Sequence, residues 1–149
     1  MSELLSKKTL LAMQVALCIA CHGSREHPVK SATIVERYRL SPRALEPVLQ
    51  TLSKAGIVES KQGATGGYVL PDADEVTLGQ VARLFLAGNA KHHLPFDDWQ
   101  TSLQPALAKA QEALLASLDK QKLQQLCDRA RKKQELLPLT TAQPLDFTI

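Results

Sequence analysis

The chain has 149 residues, 44% of them hydrophobic and 4% aromatic, enough for one small domain with an appendage and a core built from aliphatic side chains. The formal net charge is only +3, so binding to a polyanion would have to come from local clustering of positive side chains rather than from overall charge. MSELLSKK lacks the apolar core and small-residue cleavage site of an export peptide, no apolar run is long enough to span a bilayer, and the cysteines, Cys18, Cys21 and Cys127, make an odd count without a disulfide framework, which together point to a reducing cytoplasm.

Ser6 is a cap for a first helix that runs to about Cys21. Its segment LLAMQVALCIAC is apolar almost all round, which implies burial on several sides. HGSREHP, with Gly23 and Pro28, is a polar loop. VKSATIVERYRL reads as a second helix, capped near Ser31, with Ile34, Val35 and Tyr38 on one side. A short connection leads to Ser41, an N-cap, and Pro42, suited to the first helical turn. Leu45, Val48, Leu49 and Leu52 then fall at i, i+3, i+4 and i+7 of a third helix over 42–55. Pro47 lies past the first turn and removes a backbone hydrogen bond, which predicts a kink or a helix whose regular part starts later. Lys54 in the last turn and Gly56 after it are a C-terminal signature.

Ile57 to Ser60 and Tyr68 to Leu70 are short β-prone runs. Between them KQGATGG supplies Gly63, Gly66 and Gly67 for a turn. Two helices at short spacing, followed by a hairpin with a basic, glycine-bearing tip, outline a winged helix-turn-helix in which the helix at 42–55 reads the major groove. Arg37, Arg39, Arg43, Lys54 and Lys61 outnumber Glu46 and Glu59 over this stretch, the local surplus that phosphate neutralisation requires. The alternative use of such a domain is as a protein-interaction module that does not bind DNA.

PDADE is a turn, and Thr77 caps TLGQVARLFLAG, with Val81, Leu84 and Phe85 facing inward and Gly88 at the end. NAKHHLPFDD is a loop. Leu103, Leu107, Ala110, Leu114 and Leu118 then recur at helical spacing, and Leu123, Leu126 and Ala130 continue the pattern after a break at Asp119. This stripe exceeds the needs of a small winged helix, and a symmetric partner would cover it more economically than its own domain would. The expected fold is mainly α with a small β-hairpin wing. It comprises a winged helix-turn-helix domain over 1–88, a linker loop over 89–98, a helical dimerisation region over 99–137 and a flexible tail over 138–149.

From about Ser6 to Leu137, the pieces SKKTLLAMQVAL, LSPRALEPVLQTLSKAGIVES, GATGGYVL and VTLGQVARLF resemble, in order and spacing, the Rrf-two family of bacterial winged-helix transcriptional regulators. The family includes iron–sulfur, nitric-oxide-sensing and cysteine-metabolism regulators. The resemblance implies a homodimeric DNA-binding regulator, in most members a repressor, whose long C-terminal helix makes the dimer. It places Ser41, Arg43 and Glu46 at recognition-helix positions that meet DNA, and Lys7 at a first-helix position that touches phosphate. A carboxylate at Glu46 could accept from cytosine N4, and Arg43 could contact phosphate or guanine. Relatives place an arginine at the wing tip; here that position is Gln62, with Lys61 beside it.

Cluster-binding relatives carry three cysteines in the loop before the dimer helix, and thiolates are the chief ligands of iron–sulfur clusters. AGNAKHHLPFDDW has none, so no iron–sulfur cluster or other cofactor is expected. His92, His93, Asp97 and Asp98 share that loop and are candidate ligands for a divalent metal, although adjacent histidines in a polar loop are more often simply solvated. The remaining candidates for a redox or stress signal are the cysteines. Cys18 and Cys21 share a helix face, where a disulfide between them has poor geometry, and no second pair completes a zinc site. Cys127 could meet its symmetry mate or the first helix of a partner and so form a thiol switch, whereas buried cysteine is also a common small hydrophobe. No Walker-type loop and no serine–histidine or cysteine–histidine constellation is recognisable, so catalysis is not expected. The expected target is a palindromic double-stranded DNA operator.

Overall fold

A computed structural model describes residues 5–86 and 96–133. Helix α1, Lys7–His22, is capped by the Ser6 hydroxyl, which accepts from the Thr9 N–H at 3.1 Å. It is the centre of the molecule, packing against α3, Pro42–Lys54, α4, Leu78–Leu86, and α6, Leu123–Lys132. That fits its nearly uniform apolarity: Ala12, Val15, Ala16 and Ile19 form one buried stripe, and Met13 and Cys18 beside it are buried as well.

Helix α2, Ser31–Tyr38, begins at Ser31 itself, so Ser31 is the first helical residue and Lys30 holds the cap position without a side-chain capping bond. Of the three apolar residues expected on its inner side, Ile34 is fully buried while Tyr38 remains 47% exposed. Arg39 then adopts the left-handed region, with φ 52°, and this single residue turns the chain into Ser41. The Ser41 hydroxyl accepts from the Ala44 N–H at 3.1 Å, the N-cap that its sequence position predicts.

All four stripe residues of α3, Leu45, Val48, Leu49 and Leu52, are buried, each contributing about 1.5–3 kcal/mol of hydrophobic stabilisation. Pro47 does not delay the helix, which starts at Pro42 and runs unbroken through it. Only the bond to the carbonyl of Arg43 is lost, and Arg43 lies at the exposed surface, where water can replace the missing donor. The Thr51 hydroxyl donates to the Pro47 carbonyl at 2.9 Å, satisfying the next turn.

The wing pairs β1, Glu59–Lys61, with β2, Gly67–Val69, in an antiparallel register that sets Ser60 opposite Tyr68. Val29 extends this pairing: its N–H donates to the Tyr68 carbonyl at 2.9 Å, and the Tyr68 N–H donates to the Val29 carbonyl at 2.7 Å. Gly67 permits the approach, because a Cβ there would stand 2.7 Å from the Val29 carbonyl oxygen. The wing is thereby tied to the start of α2.

Thr77 and Gln80 cap α4 reciprocally, the Gln80 side chain accepting from the Thr77 N–H at 3.0 Å and the Thr77 hydroxyl from the Gln80 N–H at 3.2 Å. Val81 is fully buried, and Leu84 and Phe85 pack half-buried against the core. The long helical region divides where the sequence places its break, into α5, Leu103–Leu118, and α6. Its two parts have different fates. The turn between them docks beside the start of α4, the Leu78 N–H donating to the Gln121 carbonyl and the Leu123 N–H to the Val76 carbonyl, both at 2.9 Å. This turns α6 back onto α1, where Leu123 and Cys127 are fully buried. The α6 part of the stripe therefore folds on its own domain instead of waiting for a partner. Only the face of α5 is left, with Leu115 its one buried residue and Leu103 44% exposed. Gly88, the histidines at 92 and 93 and the tail from 138 lie outside the described residues.

Candidate nucleic-acid interface

Ser41, Arg43 and Glu46 all sit on the exposed side of α3, opposite the buried stripe. Arg43 and Glu46 are three residues apart and so neighbours on the helix surface. Two adjoining clefts show what lies beside them. One, of about 190 Å³, is lined by Ser31, Pro42, Glu46 and Tyr68. The other, of about 350 Å³, is lined by Lys30, Ser31, Lys61, Gly63, Gly66 and Tyr68. Their shared walls, Ser31 and Tyr68, make one continuous face from the recognition helix across the start of α2 to the wing.

The structure thus brings Glu46 and Lys61 to adjoining clefts, with Ser41 exposed just before Pro42 and lining neither. Gln62 lies exposed at the wing beside Lys61. Lys7 is exposed at the first residue of α1, outside both clefts. Lys30 and Ser31, which the sequence reading did not single out for this face, line it as well. Their signal was present as a lysine and a hydroxyl at a helix start, but their position next to the wing depends on the Val29–Tyr68 pairing. The start of α2 has no side-chain cap, and Lys30 and Lys61 stand beside it on the same cleft.

The cysteines are arranged differently from expectation. Cys127 joins Cys21 of its own chain in a disulfide, not a symmetry mate or a partner's first helix, because α6 folds back onto α1. Cys18 is a free thiol, 4% exposed in the core. Burial pushes its pKa up, outweighing the opposing effects of Tyr38 and Arg37, so it lacks the thiolate character of a reactive cysteine. Asp97 and Asp98 are exposed, and among the described residues no three His, Cys, Asp or Glu side chains converge as metal ligands.

Two helices at helix-turn-helix spacing followed by a hairpin wing define a winged helix-turn-helix protein of the transcription-regulator class. The sequence pattern of the Rrf2 family, described as an iron-dependent transcriptional regulator, matches residues 5–129; the chain belongs to that family. It is 41% identical over 78 residues to the HTH-type transcriptional regulator IscR of Serratia proteamaculans, a match covering 52% of this chain and 47% of that one. The chain spans about half the length of the curated relatives it matches. Among solved structures, IscR of T. potens superposes with a TM-score of 0.69 at 29% identity, covering 89% of this chain and 92% of that one. CymR, the global cysteine regulator of B. subtilis, superposes with a TM-score of 0.66 at 28% identity, covering 84% and 96%. The mainly α fold with a β-hairpin wing is that of these regulators.

The family's iron dependence sits poorly with the sulfurs of this chain. Cys21 and Cys127 are bonded to each other, and the Cys18 thiol is enclosed in the core. Thiolates are the chief ligands of such clusters, and with two sulfurs joined and the third enclosed this arrangement does not offer a cluster its ligands.

Proposed function

We propose that the chain is a cytoplasmic, homodimeric DNA-binding transcriptional regulator, a repressor responding to a redox or stress signal without the family's usual cysteine loop. The observation that carries this reading is the pair of adjoining clefts running from Glu46 of α3, with exposed Arg43 one turn away on the helix, to Lys30 and Lys61. Arg43 and Glu46 read or position DNA in the major groove, Ser41 and Lys7 meet the backbone, and Lys61 with Gln62 forms the wing contact. Lysine and glutamine are weaker than arginine as readers of a narrow minor groove, so the wing contributes affinity more than sequence choice.

The dimer forms through α5. Phe96, Trp99 and Leu103 are 72%, 69% and 44% exposed, and Trp99, Ser102, Leu103 and Ala106 line a shallow apolar cleft on that side. A second copy covering this surface would set two reading heads about one helical turn of DNA apart, so the operator is palindromic.

The test is selection of bound duplexes from a random double-stranded pool, followed by binding titrations at several salt concentrations. The expected result is enrichment of an inverted repeat whose affinity falls steeply as salt rises. Absence of enrichment and of salt-sensitive binding would favour the protein-interaction module instead.

A further inference from the structure

We infer that Cys21 and Cys127 form a reversible redox staple, driven by a hydroperoxide-class oxidant, that sets whether α6 is docked on α1; its regulatory meaning rests on the DNA-binding reading above. Helix α6 has ten residues, of which only Leu123 and Cys127 are buried. A helix this short is marginal by itself and depends on its docking contacts. Its start is held by Leu123 and the backbone bonds to Val76 and Ala73. Its far end is held by the disulfide and by Arg131, whose Nη2 donates to the Cys21 carbonyl at 2.9 Å. With the disulfide reduced, that end keeps the packing of Cys127, a long sulfur contact to the Leu17 carbonyl and the Arg131 hydrogen bond, and such hydrogen bonds contribute little.

The two cysteines differ in access. Cys21 is partly exposed near the end of α1, while Cys127 is fully buried. Cys21 is therefore the thiol that meets the oxidant and Cys127 the one that resolves it. Arg131, whose guanidinium donates to the Cys21 carbonyl at 2.9 Å, sets a positive charge beside this residue. Positive charge beside a partly exposed thiol is the setting in which cysteines oxidise.

In the first step the Cys21 thiolate attacks one peroxide oxygen. The O–O bond breaks, Cys21 becomes a sulfenic acid and the other oxygen leaves, protonated, as water or an alcohol. The Cys127 thiolate then attacks the Cys21 sulfur, the S–S bond forms, and the S–O bond breaks to release hydroxide, which leaves as water after taking a proton. Two electrons pass from the sulfurs to the peroxide, and a dithiol reductant reverses the change. Cys18 takes no part.

The test is hydrogen exchange on the full wild-type chain, reduced with dithiothreitol or oxidised with hydrogen peroxide. The oxidised chain is expected to be lighter by two hydrogens and to yield a crosslinked Cys21–Cys127 peptide. Its α6 amides should exchange about tenfold or more slowly than in the reduced chain, with α3 unchanged. Cys18→Ser should preserve this difference, and Cys127→Ser should exchange like the reduced chain under oxidant. Equal α6 exchange in both forms, a stable sulfenic acid at Cys21, or chains crosslinked to each other through Cys127 would each overturn the inference. DNA affinity of the same samples separates the two readings. DNA binding with unchanged α6 exchange defeats only the staple, and a working staple without DNA binding in either form defeats only the regulator.

Discussion

The carboxylate of Asp119 fills the space into which any side chain at position 79 would project. Gly79 is buried at the start of α4, and a Cβ there would overlap that carboxylate and stand 2.8 Å from the Asp119 backbone nitrogen. Asp119 also pairs with Arg83, one turn further along α4, and Arg83 reaches Glu112 of α5 at 3.4 Å. The missing side chain at 79 is what lets the α5–α6 turn seat against α4. Gly79→Ala should therefore destabilise the domain by about 1–3 kcal/mol, as overpacking does. Denaturant unfolding measures this, and an unchanged midpoint would show that the turn shifts freely.

A second close approach fixes the wing. Gly67→Ala would drive a methyl group against the Val29 carbonyl and break the pairing with Tyr68. The expected cost is again about 1–3 kcal/mol. Unlike Gly79→Ala, it should also weaken DNA binding, because Lys61 would lose its fixed position relative to Lys30. Loss of stability with full DNA affinity would count against that placement.

The Cys21–Cys127 bond closes a loop whose ends are 106 residues apart in sequence. Cross-links over long loops typically stabilise by about 2–4 kcal/mol, chiefly by restricting the unfolded chain. Oxidised protein should unfold at higher denaturant than reduced protein by that margin, and the gap should vanish in Cys127→Ser. Coincident unfolding curves for oxidised and reduced wild type would contradict it.

Two groups make stability depend on pH in opposite directions. The Tyr38 hydroxyl is pushed up to about 12 from an ordinary 10.0, first by burial and then by the Cys18 sulfur beside it. Its neutral form is favoured in the fold, so the contribution is present below pH 10.0 and is lost as pH rises through about 12. His22 is lowered from 6.5 by burial and by the charges of Arg131 and Arg37. Its contribution is present above pH 6.5 and is lost as pH falls through the lowered value. Alkaline difference absorbance should find one of the two tyrosines ionising near 12, with a lower midpoint in Cys18→Ala. Proton NMR of the His22 ring should place its titration below 6.5.

Arg43→Ala should weaken binding to the selected operator by about 1–3 kcal/mol if the guanidinium reads a base, with relaxed preference at one position. Lys61→Ala should weaken binding almost uniformly across operator variants and reduce the salt slope by about one. The reverse assignment of the two effects would exchange their roles.

Much of the fold was legible in the sequence because its signals are local. Ser41, Pro42 and the apolar spacing from Leu45 to Leu52 fix α3 from within, as Ser6 does for α1 and Thr77 for α4. The break at Asp119 was also visible in the pattern. The candidate recognition residues could be named, since their exposure follows from helical period once the buried stripe is known. What tertiary structure decided is where separate segments meet. Nothing in a run of residues states that Val29 would pair with Tyr68 and draw Lys30 to the wing, or that α6 would turn back so that Cys127 meets Cys21 of its own chain. An apolar stripe records that a face must be buried but not against what, because hydrophobic burial is non-directional. The choice between a partner and the chain's own α1 was made by the backbone bonds at Val76 and Leu78, which depend on Gly79 leaving room for Asp119.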